Sequence, residues 1–248
     1  MDPSTPGNGA SFARASDQAL LVSFGDRISL ESHRQVLALA AALQGKPIAA
    51  AVNLHPAYCS LLIRFDACRA SHEDIEREVL ERMTQGRPQV ASALREVEIP
   101  VCYGGDFGPD LQTLAQMRGL SADDVIRIHS QTEYIAYFLG FVPGFAYLGT
   151  VPEAIEAPRL ATPRRRVEAG SVGIAGRQTA VYPCAVPGGW QLIGRTPLAM
   201  FLADREPMSL LAWGDRVRFR PISSDEYARI QQDARSMPGT TPGEDPHR

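Results

Sequence analysis

The chain has 248 residues, 44% of them hydrophobic and 21% charged, which suits one large or two small globular domains rather than a disordered or fibrous polymer. Its net charge of −3 and pI near 6.0 lack the basic balance that nucleic-acid binding needs, and no apolar run reaches the roughly 18 residues that would span a bilayer. Of the 25 basic residues only Lys46 is a lysine; it sits in QGKPI, so a Walker-type phosphate loop is excluded and an anion must be held by arginine forks, backbone N–H groups or a metal.

The first residues, MDPSTPGNGASFARA, carry no apolar leader region and read as a disordered tail over 1–15, with a cytoplasmic location as the default. An alternation of elements follows. ALLVSF (19–24) reads as a strand and ESHRQVLALAAALQ (31–44) as a helix stopped by Gly45, Lys46 and Pro47. IAAAVNL (48–54) and CSLLIRF (59–65) read as strands, and SHEDIEREVLERM (71–83) as a helix with Ser71 at its N-cap and Ile75, Val79 and Met83 on one face. EVEIPVCY (96–103) closes the series. The order predicts an α+β protein whose N-terminal domain, residues 16–104, is ferredoxin-like, βαββαβ.

Beyond that point the period changes. DLQTLAQMRG and SADDVIRIHSQ have helical spacing, after which short alternating runs (EYIAYFLGF, SVGIAG, QTAVYP, WQLIG, and PMSLLAWGDRVRFRPI) recur with turns between them. That spacing predicts a β-barrel domain over 105–235, ending in a surface helix at 223–234, then a disordered tail at 236–248. The four cysteines form no CxxC pair and the five histidines no HExxH or HxH pair, so neither a disulfide framework nor a metal site is expected.

Residues 140–199 concentrate glycine, proline, aromatics and arginine, and there the chemistry should lie. GSVGIAG has the wrong spacing for a dinucleotide fingerprint and no helix after it. Ser171 in AGSVG is not a nucleophile elbow. Arg164, Arg165 and Arg166, with Arg177 and Arg195 in later turns, could bring bidentate donors to a carboxylate or phosphoryl group, although arginine runs more often face solvent. Gln178, Tyr182 and Trp190 offer neutral donors and stacking surface. His129, at the end of a helix, is a candidate base.

Three ordered blocks, GFVPGFAYLG, PRRRVEAGSVGIAGRQTAVYP and PGGWQLIGRTPL, resemble the signature blocks of the family of 5-oxoprolinase B subunits, also labelled allophanate hydrolase subunit 1. The resemblance implies a cyclophilin-like barrel after the ferredoxin-like domain. It also implies partners, the C and A subunits of 5-oxoprolinase, which together with this chain would open 5-oxoproline to glutamate at the expense of ATP, with Mg, bound in the assembled complex. Arg166 and Arg195 would then clamp charge, Gln178 and Tyr182 would orient the substrate, and Phe145 with Trp190 would form apolar walls. Arg166, Arg195, Gln178 and His129 make up the expected catalytic set; Phe145, Tyr147, Arg164, Tyr182, Gly188, Gly189 and Trp190 the substrate-binding one. The family also implies two other readings, an inhibitor of a sensor histidine kinase and a urea- or allophanate-metabolising component of carboxyltransferase type. Prolyl isomerisation would rest on fold alone. Ala146 and Glu168 stand where the family pattern has proline.

Overall fold

The computed structural model of the chain describes residues 9–84 and 95–236. The chain divides into two units, Met1–Leu94 and Arg95–Arg248. In the first, the described strands are β1 (Ser11–Ser16), β2 (Ala19–Ser23), β3 (Ala51–Pro56) and β4 (Ser60–Phe65), and the helices α1 (Leu30–Gly45) and α2 (His72–Thr84). The strands make one antiparallel sheet in the order β1-β2-β4-β3. Helix α1 starts where the Ser29 hydroxyl accepts the Ser32 N–H, and it buries Val36, Leu37, Leu39, Ala40 and Leu43 at helical spacing. Helix α2 buries Ile75 and Val79. Its Arg82 is also buried, because the guanidinium donates to the carbonyls of Lys46 and Pro47 beyond the end of α1 and pairs with Glu78.

Two expectations change here. Residues 11–16 form a strand instead of belonging to a tail: Phe12 is buried, but SFARAS has little else apolar, because an edge strand needs only backbone pairing with β2. The sequence 96–103 is not the last strand of this sheet. As β5 (Glu96–Tyr103) it lies in the second unit, parallel to β13 (Arg216–Pro221) and antiparallel to β12 (Gln191–Arg195). The described order of the first unit is therefore ββαββα, the βαββαβ series is not completed among the described residues, and the division falls at 94/95 rather than 104/105. Alternating side chains identify a strand without naming its neighbours. The tail expected at 236–248 lies outside the described residues except for Ser236, the last residue of helix α5 (Ser224–Ser236).

The second unit closes a seven-stranded barrel in the order β10-β7-β6-β13-β5-β12-β9, with β6 Tyr134–Leu139, β7 Ala146–Gly149, β9 Ser171–Ala175 and β10 Gln178–Val181. Every strand contributes to one buried interior cluster, including Ile99, Val101, Tyr134, Leu148, Val172, Ile174, Val181, Ile193, Val217 and Phe219. Two helices pack with it, α3 (Leu111–Arg118) and α4 (Ala122–Gln131). Helix α4 opens with a reciprocal capping box between Ser121 and Asp124. The Arg95 guanidinium pairs with the buried Asp215 carboxylate, tying the start of β5 to the turn before β13.

Alternation then fixes a second face. Because Val172, Ile174, Val181 and Ile193 point into the barrel, their neighbours Ala175, Ala180, Tyr182 and Leu192 point out. They form a separate buried cluster with Phe145, Val167 and Trp190. A two-stranded ribbon flanks it, β8 (Arg164–Val167) with β11 (Val186–Gly188).

Candidate functional site

The outer cluster is open on one side as a cleft of about 330 Å³, lined by Phe141, Phe145, Tyr147, Arg159, Leu160, Pro163, Tyr182 and the turn Pro187–Trp190. Two turns bring the aromatics together. Pro143-Gly144 reverses the chain between β6 and β7, with Gly144 at φ +81° and so close to Phe201 that a Cβ there would meet the Phe201 Cβ at 2.6 Å. Gly188 lies flat on the Tyr182 ring; a Cβ would come within 2.5 Å of the phenol oxygen. Phe145 is the hub, with edge-on ring contacts to Tyr147, Tyr182 and Trp190 at centroid distances of 5.0, 5.3 and 5.6 Å. Phe141 is exposed at the mouth, 5.5 Å from Phe145 and at φ 71°, a left-handed backbone that a bulky residue rarely adopts.

Burial pushes the pKa of the Tyr182 phenol up and opposes ionisation, while a hydrogen bond from the Trp190 backbone and the charge of Arg159 pull the other way. Tyr147 is raised for the same principal reason and also feels Arg159. Both hydroxyls therefore keep their protons and can donate into the cleft.

Arg159 is the cation of the cleft. It lies in a loop held on both sides: Ala157 bridges to Gly176, whose N–H reaches the Ala157 carbonyl at 2.6 Å; the Gln191 amide donates to the Pro158 carbonyl at 3.1 Å; and the Leu160 N–H donates to the Gly189 carbonyl at 2.7 Å. Among the described residues no carboxylate pairs with its guanidinium.

Two neighbouring arginines are engaged elsewhere. Arg164 pairs at 2.6 Å with Asp110, whose other oxygen accepts the Leu192 N–H at 2.6 Å, and Arg164 also reaches the Trp190 carbonyl at 3.4 Å. It braces the cleft from behind. Arg166 is exposed and paired with Glu168 at 2.8 Å.

Of the residues singled out in the sequence, the structure gathers Phe145, Tyr147, Tyr182, Gly188, Gly189 and Trp190 in the cleft lining, with Arg164 behind it. It does not bring Arg166, Arg195, Gln178 or His129 there. Arg195 ends β12 opposite Ser171 and Cys102, and its Nε is buried without a hydrogen bond among the described residues. Gln178 starts β10 opposite Gly149 and Ala175.

His129 is wholly buried inside the barrel, stacked on Phe219 at 4.4 Å. Its Nε2 meets the Thr179 hydroxyl at 3.0 Å and its Nδ1 the Tyr103 hydroxyl at 2.8 Å. Since Thr179 donates to the Gly173 carbonyl, Nε2 carries the proton and Nδ1 accepts. Burial lowers its pKa to about 3, so it stays neutral, and it has no path to a ligand in the cleft. Sequence reading missed Phe141, Leu160, Pro163, Pro187 and above all Arg159; the signal for the last was APRLATP, an arginine framed by two prolines. Ala146, inside the barrel, and Glu168, paired with Arg166, both lie off the cleft lining. Among the described residues no group of three or more His, Cys, Asp or Glu side chains could hold a metal, and no helix is long and apolar enough to cross a membrane.

The chain is of carboxyltransferase-domain type: the family described as carboxyltransferase domain, subdomain C and D, matches residues 10–211. A segment of the K. lactis urea amidolyase shares the fold, with a TM-score of 0.70 at 18% identity over 90% of this chain and 15% of that one. The chain belongs to the family of 5-oxoprolinase B subunits, being 42% identical over 228 residues to the 5-oxoprolinase B subunit of Bacillus subtilis, a match covering 88% of this chain and 95% of that protein. The crystal structure of TTHA0988 superimposes with a TM-score of 0.75 at 39% identity over 84% of this chain, which spans only 40% of the length of TTHA0988.

Proposed function

We propose that this chain is the B subunit of an ATP-dependent 5-oxoprolinase and that its outer-face cleft receives the lactam. The aromatic cleft itself carries the reading. A small lactam ring suits a cavity of about 330 Å³ walled by Phe145, Tyr147 and Trp190. The protonated Tyr182 phenol, held by the Trp190 backbone, donates to the lactam carbonyl. An amide carbonyl gains negative charge on oxygen as it is attacked, and a fixed donor in a partly dehydrated cleft stabilises that charge. The barrel is of the cyclophilin type in this reading, and the protein works in the cytoplasm.

The described residues do not suit ATP and Mg as ligands of this chain alone. The sequence has no phosphate loop, the cleft offers one uncompensated arginine, and among the described residues no carboxylate cluster is present for a cation. In this reading nucleotide binding belongs to the assembled complex, with the C and A subunits of 5-oxoprolinase. The test is reconstitution of all three proteins with 5-oxoproline and ATP, followed by glutamate formation. Glutamate that appears equally well without this chain would end the proposal.

A further inference from the structure

We infer that Arg159 is a specificity-determining residue of the cleft, reading the carboxylate of its ligand and thereby favouring anionic cyclic amides over neutral ones. This rests on the lactam reading above. Three observations carry it. First, Arg164 is neutralised by Asp110 and Arg166 by Glu168, the exposed Arg165 between them lies off the lining, and Arg159, in the lining, faces no carboxylate among the described residues. A guanidinium left without a counter-charge beside aromatic walls is complementary to an anion that arrives with the ligand.

Second, its backbone is fixed before any ligand comes. Hydrogen bonds at Ala157, Pro158 and Leu160 hold the loop to Gly176, Gln191 and Gly189. Arg159 is exposed, so its side chain must still be ordered when a ligand binds, but the backbone share of that entropic cost has been met in folding. The Leu160 and Gln191 bonds also tie the Arg159 loop to the Pro187–Trp190 turn and the start of β12, fixing the carboxylate site against the aromatic lining.

Third, the charge is felt where the ring would sit: Tyr147 and Tyr182, both in the lining, respond to Arg159. Because Arg159, Tyr147 and Tyr182 line the same cleft of about 330 Å³, a ligand with its carboxylate on Arg159 has its carbonyl in the cavity that the two phenols share. The two polar ends of a 2-carboxylated lactam are read by two different groups. A neutral lactam or urea would satisfy only one of them, leaving the guanidinium no worse off than in water. The selection is therefore by gained attraction, not by exclusion.

The experiment uses the reconstituted complex with wild-type chain, Arg159→Gln and Arg159→Lys. Turnover of 5-oxoproline is measured, together with competition by cyclopentanecarboxylate, which has the anion without the lactam, and 2-pyrrolidinone, which has the lactam without the anion. Arg159→Gln should raise KM for 5-oxoproline about tenfold or more and lower kcat by less, as expected for loss of a charge-assisted hydrogen bond made equally in ground and transition states. Inhibition by cyclopentanecarboxylate should weaken by a similar factor while that by 2-pyrrolidinone stays as it was. Arg159→Lys should recover part of the loss as a point charge without the fork.

Equal effects on both inhibitors, or an unchanged KM, would overturn the assignment while leaving the lactam reading in place. A wild-type complex that forms no glutamate would remove both together.

Discussion

A polar network on the inner face of the barrel strands and the cleft on their outer face use hydrogen-bonding capacity in opposite ways. Inside, Thr179 donates to Gly173 and accepts from His129, which accepts in turn from Tyr103; each polar group of that chain is used by another. Outside, just past the end of β10, Tyr182 and its neighbours keep hydrogen-bonding capacity that faces a cleft, and Arg159 keeps a charge. A buried polar group without a partner costs stability, so a closed network marks structure, while unused capacity at a preformed cleft marks a place for something else to bind. His129 and Arg159 illustrate the two cases.

Breaking the inner face should cost most. Phe219→Ala removes a buried ring that stacks on His129 and should lower stability by about 3–5 kcal/mol, read from urea unfolding. Next comes the brace between the faces. Asp110→Asn weakens its bond to Arg164 and its grip on the Leu192 N–H; we expect a loss of about 2 kcal/mol, with KM for 5-oxoproline rising because the Trp190 wall loosens.

The inner network should also respond to acid. His129 has a folded pKa of about 3 against 6.5 for an ordinary histidine, so it remains neutral in the fold while the unfolded chain takes up a proton. Its contribution is complete above pH 6.5 and is lost as pH falls from there toward 3, at up to ~1.4 kcal/mol per pH unit. Buried His33, at about 4, acts in the same direction in the N-terminal unit. Thermal melts across this range should show a shallower acid slope in His129→Leu than in the wild type, and an unchanged slope would contradict the buried neutral imidazole. The smallest effect belongs to Arg166→Ala. Its pair with Glu168 is exposed, so stability should change by less than about 1 kcal/mol and KM should stay put. A clear rise in KM would return Arg166 to the functional set and blur the contrast between the faces.

The barrel strands and most cleft aromatics were legible in the sequence because their signals are local: alternation for Val172, Ile174 and Val181, and turn-forming Gly-Pro pairs around Phe145 and Trp190. Roles that depend on distant partners were not. Arg166 and Arg159 look alike in a string of letters; only the fold shows that Glu168 neutralises one and that a pinned loop presents the other to the cleft. His129 stood at a helix end, where a histidine normally meets solvent and carbonyls, and the closure of seven strands around it could not be read from its neighbours. The strand at 96–103 was correct as a strand and misplaced as a partner for the same reason.

That strand also governs the order in which the barrel can assemble. β5 leads the second unit, yet its parallel neighbour β13 ends the barrel, and the Arg95–Asp215 pair that secures them spans 120 residues. A ribosome adding 5–20 residues per second takes on the order of 10 s to cover that distance. During that interval one edge of β5 has no native partner, and its interior-facing Ile99 and Val101 await the rest of their cluster. The growing chain therefore carries a strand edge of unpaired N–H and C=O groups that only its last barrel strand can close, a place open to mispairing before synthesis is complete.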